Sequence, residues 1–280
     1  MLAGTVEERN KLASSLTSGD TTVAFTYDLG GVRPGSVFEV GSELFYVWAV
    51  DSAAKTATVE RGYAGTTAAS QASGAIATLS PRFPRAEMLD AVNAELDDLS
   101  STANGLFRVI TQDLNYNGSD RQIDITNSVI IIDLIDARLR YMSDDYPVLH
   151  NVRLQTGLPT TDFASGNTLV FDESVMAGTV RVRYKARFVR ALDESVDLTT
   201  YCFLPATCDD IIELGVVMRL MAGREIKRNF IESQGDTRRA DEVPPGAVRD
   251  SITNIARMRR ERIIAEAGRL KAQYPIKFRK

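Results

Sequence analysis

A chain of 280 residues with a formal net charge of −4, two cysteines and one histidine is longer than the usual single domain and can bury ample apolar surface without covalent staples. Cys202, Cys208 and His150 fall short of a four-ligand zinc site and of a disulfide framework, so a reducing compartment is the expectation. No apolar run reaches the roughly 18 residues of a membrane-spanning helix, and residues 1–20 lack the apolar stretch of a secretory signal, so a soluble protein made in a cytoplasm is expected.

Residues 6–16 are expected to form a short helix. The period then changes: Val23, Phe25 and Tyr27 alternate with Ala24 and Thr26, the pattern of a half-buried strand. Residues 36–40, 44–50, 57–61 and 75–79 follow as short strands separated by turns and by a Gly/Ala/Ser/Thr loop over 62–74. Residues 1–80 are therefore expected as a small five-stranded antiparallel β-barrel domain, with a sandwich as the alternative. Pro81 and Pro84 bound it, because proline fixes φ and donates no hydrogen bond.

An acidic amphipathic helix is predicted over 85–99, with Met88, Leu89, Val92, Leu96 and Leu99 on one face. Strand patterns return from 105, including 105–111, 123–125, 129–132 and 168–171. In the last strand, 180–188, Val180, Val182, Tyr184, Ala186 and Phe188 alternate with Arg181, Arg183, Lys185 and Arg187. One face must be core and the other basic and wet. Thr207, as an N-cap, opens a helix whose body, from Ile211 to Met221, is apolar almost all round, with Asp209 and Asp210 complementing its dipole. After Pro244 and Pro245 a last helix carries Val248, Ile252, Ile255, Ile263, Ala267 and Leu270. The expected fold class is α+β: a helical bundle from 85–102 and 204–280, with a long C-terminal helix and basic tail, the N-terminal β-barrel, and an inserted β-sandwich domain at 105–190.

Catalytic chemistry has little to stand on. A thiolate at Cys202 or Cys208 activated by His150 has no local signature, and the glycines of 62–74 lack the GK[ST] ending of a phosphate-binding loop. Asp144 and Asp145 are adjacent, so on a strand they would point to opposite faces. No catalytic residue and no cofactor is expected. Asp113, Asn115, Asn117 and Gly118 match the start of an EF-hand loop with Asp124 in its twelfth position, a weak calcium candidate whose alternative is a polar hairpin turn. The basic strand can meet phosphate charge or serve as the wet face of an ordinary sheet. Residues 245–280 hold ten basic side chains against three acidic ones, so the remainder sums to about −11. Such polarity suits head-to-tail or ring assembly.

The run Glu60-Arg61-Gly62-Tyr63-Ala64-Gly65-Thr66-Thr67-Ala68 through Gly74-Ala75, after the strand GSELFYVWAV and before the linker PRFPR, resembles a pattern of tailed-bacteriophage virion proteins. LPATCDDIIELGVVMRLMAGRE followed by ARMRRERIIAEAGRLKAQYPIKFRK is similar to the paired helices and basic tail of phage head-to-tail adaptor (connector) proteins. The likeness is strongest at 36–99 and 204–280. Gln71 stands where a histidine is often found, so that position carries no metal role. The resemblance implies a structural protein of the virion neck, present in the host cytoplasm before assembly. It is usually a dodecameric homo-oligomeric ring between the portal protein and the tail or tail-stopper proteins, lining the channel through which genome DNA passes without sequence recognition. Tyr274, Ile276, Lys277, Phe278, Arg279 and Lys280 are the expected portal-binding residues, with the aromatic and aliphatic side chains as anchors and the charges for steering; the alternative for the same tail is contact with the exiting DNA. The alternative is a tail-tip or receptor-binding component with a carbohydrate-binding β-sandwich; a cell-wall hydrolase is a third reading, without support from paired carboxylates.

Overall fold

The computed structural model describes residues 8–126, 129–140, 147–232 and 247–275. Twelve strands in three antiparallel sheets dominate them, and three α-helices make up about a quarter of the chain. The expected helical bundle with β insertions is thereby corrected: sheets are the principal scaffold, because the alternating segments outnumber the helical ones. Two compact units are present, one comprising Met1–Val92 and Ala191–Val196, the other Asn93–Arg190 and Asp197–Lys280.

The first unit is a six-stranded half-barrel of β1 (Glu8–Lys11), β2 (Thr22–Ala24), β3 (Val37–Val40), β4 (Glu43–Asp51), β5 (Thr56–Glu60) and β6 (Ile76–Leu79), in the order β1-β6-β3-β4-β5-β2. Its edge strands meet just past their ends, where Leu12 bridges Phe25. Alternate residues Val23, Phe38, Val40, Phe45, Val47, Val59 and Leu79 point into one core. There the Phe38 ring stacks on Phe45 at 4.7 Å and meets Phe25 edge-on at 5.3 Å.

Over its described part, 8–16, the expected helix of 6–16 is instead β1 and an irregular continuation. Leu12 and Leu16, four residues apart, imitate a helical face, yet both are buried in the half-barrel core and bridge Phe25 and Gln71. Asn10 fixes the strand: its buried side chain accepts from Tyr27 N at 3.1 Å and donates to the carbonyls of Tyr27 and Asp28.

In the second unit, β7 (Arg108–Tyr116), β12 (Gly178–Ala186) and β9 (Ile131–Arg140) form one three-stranded sheet. The strands β10 (Val152–Thr156), β11 (Asn167–Phe171) and β8 (Gln122–Asp124) form another. The two share a core of Leu114, Leu134, Val152, Leu169, Phe171, Val180, Val182 and Tyr184. Helix α1 (Arg85–Leu99) enters this unit at Asn93. Helices α2 (Asp209–Glu232) and α3 (Ala247–Gln273) run antiparallel, since Thr207 meets Glu266 while Asp210 meets Arg262. Glu95 of α1, with no exposed surface, accepts from Arg219 of α2 at 3.2 Å and Arg259 of α3 at 2.5 Å, so one carboxylate ties the three helices. Arg259 also pairs with Asp98. Gly215 is the residue that makes room, because a Cβ there would collide with the Glu95 carboxylate.

Candidate functional site

The Arg61–Gly62 loop has a structural explanation for nearly every residue of its motif. The five N–H donors of Arg61 are all used: Nε and Nη2 grip the Glu43 carboxylate at 2.7 and 2.9 Å, and the rest reach the carbonyls of Thr17, Asp20 and Ala69. Both side chains are buried, at 6% and 1% exposure. Glu43 also accepts from Gly62 N, Ala69 N and the Gln71 amide. Burial by itself would raise the Glu43 carboxyl pKa, but Arg61 and those two backbone donors outweigh it and hold the group below its ordinary value. Gly62 has φ +63, and a Cβ there would press on the Thr66 carbonyl. The Thr66 hydroxyl donates to Tyr63 O and accepts from Leu44 N. The motif is thus a clasp that folds the loop back onto β4, with its polar groups turned inward.

What the clasp presents outward is aromatic. Trp48 sits at a bulge in the β4–β5 register, 59% exposed, with its ring edge-on to Tyr46 at 4.8 Å, and the Tyr63 ring lies 5.1 Å from that of Tyr46. With Phe45 and Val47 in the core, alternation along β4 turns Tyr46 and Trp48 to the opposite face, and the turn at Tyr63 brings the third ring beside them.

Of the two readings of the basic strand, the structure favours the wet face of an ordinary sheet. Arg181 is bidentate to Asp113 of β7 at 2.7 and 2.8 Å, Arg183 pairs with Asp136 of β9, and Lys185 lies 3.5 Å from Asp133 of β9. Asp136 is buried, and Arg138 also reaches it at 3.1 Å. Burial pushes its pKa up, and the two guanidiniums more than reverse that. Three of the four basic side chains on this strand therefore meet carboxylates in their own sheet, leaving much less charge for phosphate. The signal was present as Asp113, Asp133 and Asp136, but pairing them needed the register.

Asp113, Asn115, Asn117 and Asp124 are not gathered by the fold. Asp113 is occupied by Arg181, which lowers its pKa. Asn117 bonds Asp120 at 2.7 Å, and Asp124, in the other sheet, accepts from Ser165 at 2.7 Å. The flanks are strands instead of EF-hand helices, but β7 and β8 belong to different sheets, so the segment is a turn between sheets and not the hairpin of the alternative reading. Among the described residues, no group of three or more His, Cys, Asp or Glu could hold a metal ion.

His150 lines a surface pocket of about 220 Å³ with Asn151, Glu173 and Met176, and neither cysteine is part of it. Cys202 and Cys208 are buried. Desolvation raises both thiols, that of Cys208 to about 11. Among the described residues no helix is long and apolar enough to cross a membrane. Asp144, Asp145, Ile276, Lys277, Phe278, Arg279 and Lys280 lie outside the described residues. Tyr274 is described, and its ring packs edge-on to Phe107 at 6.5 Å.

Helix α3 divides its basic residues into two sets. Arg259, Arg262 and Arg269 are paired with Glu95, Asp210 and Glu266. Arg249, Arg257, Arg260 and Lys271 are exposed, and among the described residues their side chains have no ion-pair partner. No protein-family model matches the chain, and no curated protein matches it either.

Proposed function

We propose that the chain is a structural protein of the tailed-phage neck, a homo-oligomeric ring that joins portal to tail and lines the channel for genome DNA. The observation that carries this reading is the α2–α3 pair. The segment in which the resemblance to adaptors is strongest folds as antiparallel helices joined directly by Arg262 and Asp210 and indirectly through Glu95 of α1, which holds both Arg219 and Arg259, with one flank of α3 basic and unpaired among the described residues. Within each unit, buried ion pairs such as Arg61–Glu43 and Arg183–Asp136 tie neighbouring segments together, and a load-bearing role needs no catalytic group. Segment 274–280 is the portal-docking element in this reading, with Tyr274 held on Phe107 as its root.

Native mass spectrometry of the purified chain mixed with portal rings from the source particle tests it. A stoichiometric complex that disappears on deletion of 276–280 is expected; no complex, with both components folded, would sink the reading.

A further inference from the structure

We infer that copies of this chain meet through their helical pairs, the basic flank of α3 in one copy docking on the acidic flank of α2 in the next. The inference rests on the ring reading and adds the surfaces by which the ring closes.

On an α-helix each residue turns about 100°, so Arg249, Arg260 and Lys271, eleven apart, drift only about 20° per step and form one stripe about 33 Å long. Arg257 lies beside Arg260 on it. Arg262, which points at Asp210 of α2, is turned about 160° from Arg260, so the stripe occupies the side of α3 away from its own α2. Ile264, 63% exposed, sits within the stripe between Arg260 and Lys271.

Helix α2 has the complementary surface. Asp209 and Glu213 are four residues apart, exposed, and among the described residues without an ion-pair partner, while Asp210 between them is engaged by Arg262. Val217, one turn further along that face, is 43% exposed. Each flank is therefore a row of charge with an exposed aliphatic side chain beside it, and the two rows have opposite sign.

Several strong charges elsewhere are joined internally, as in Arg61–Glu43 and Arg183–Asp136. The helix pair instead carries two flanks of opposite sign, neither with an ion-pair partner among the described residues. Because they are different surfaces, contact between them is heterologous, and repetition closes a ring when the rotation permits. Complementary charge steers the encounter and sets the register, while Ile264 and Val217 supply apolar contact. A polyanion would use only the basic flank and leave the acidic one unexplained, in a chain that is net negative.

The test uses the full chain and its charge reversals, Arg257→Glu/Arg260→Glu and Asp209→Lys/Glu213→Lys, weighed by mass photometry at low and high salt. The wild type is expected to assemble at low salt. Each reversed chain should associate on the order of tenfold or more weakly. An equimolar mixture of the two reversed chains should assemble again, because each then presents what the other lacks.

A wild type that stays monomeric at low salt overturns the inference. So do reversals that leave assembly unchanged, or a mixture of two folded chains that fails to recover. If a reversed chain melts early, Arg257→Gln/Arg260→Gln replaces it, with a smaller loss expected and no loss counting against the proposal. Basic-flank variants that assemble normally but lose retention on DNA point to a nucleic-acid contact and also overturn it. Assembly without portal binding sinks the neck reading alone; portal binding by chains indifferent to every reversal sinks this inference alone.

Discussion

Glu43 and Arg61 are each nearly buried and each fully engaged, so replacing either strands the other's charge in the half-barrel. Breaking such a pair from one side costs about 3–5 kcal/mol, and Arg61→Ala should lower the stability of the first unit by that order in a denaturant titration. Glu43→Gln tests the pH response. The folded carboxyl lies below its ordinary 4.5, so the folded chain binds fewer protons than the unfolded one. The stabilisation is present above 4.5 and is lost as the pH falls through the depressed folded value. Glu43→Gln should be less stable at neutral pH and show a shallower acid response; an unchanged slope would refute the assignment. The cysteines give a second measurement at this scale. Burial keeps both thiols protonated, Cys208 with a value near 11, and the thiolate is the nucleophile. A thiol reagent at pH 8 should titrate neither cysteine until denaturant is added; fast labelling of the native chain would contradict their burial.

At the scale of elements, periodicity was readable where each segment had one clear face, and misleading where two structures share a spacing. The alternation from Val180 to Phe188 marks β12, whereas the four-residue spacing of Leu12 and Leu16 fits a helix and a half-barrel core equally well; Asn10's bonds across to Tyr27 and Asp28 decide between them. β10 carried no clear alternation and was not anticipated; its pairing with β11 supplies its order. The central helices turn on Gly215, whose missing side chain admits the Glu95 carboxylate between Arg219 and Arg259. A glycine inside a helix ordinarily costs about 1 kcal/mol relative to alanine, so Gly215→Ala would stabilise an isolated helix. Here the new methyl must displace a carboxylate held from two sides, and the expected result is a loss of about 1–3 kcal/mol. Thermal melting decides between the two signs, and stabilisation would show that Glu95 is free to move aside.

At the scale of the whole molecule, what was legible and what was not divide along pairing. Net charge and its segregation toward 245–280 are properties of composition, readable before any fold. Which of those charges remain available depends on cross-strand register and helix rotation, and so the basic strand β12 proved internally paired while part of α3 did not. The same distinction governs the response to acid. Glu43 in the first unit and Asp113, Asp136, Asp210 and Glu266 in the second all have depressed pKa values, with a guanidinium as a partner of each. Every one of these shifts acts below 4.5, so these groups should leave stability flat around neutrality and withdraw it on acidification, as each carboxylate is protonated and its arginine loses a counter-charge. Hydrogen exchange followed peptide by peptide reads the two units separately. Glu43→Gln should flatten the acid response of β3 and β4, and Asp136→Asn that of β9 and β12. Asp136 is buried against Arg183 and Arg138, so Asp136→Asn should also cost about 3 kcal/mol at neutral pH. If protection in both sheets instead fell on the alkaline side of neutrality, the depressed carboxylates would not be the groups that set the stability of this fold.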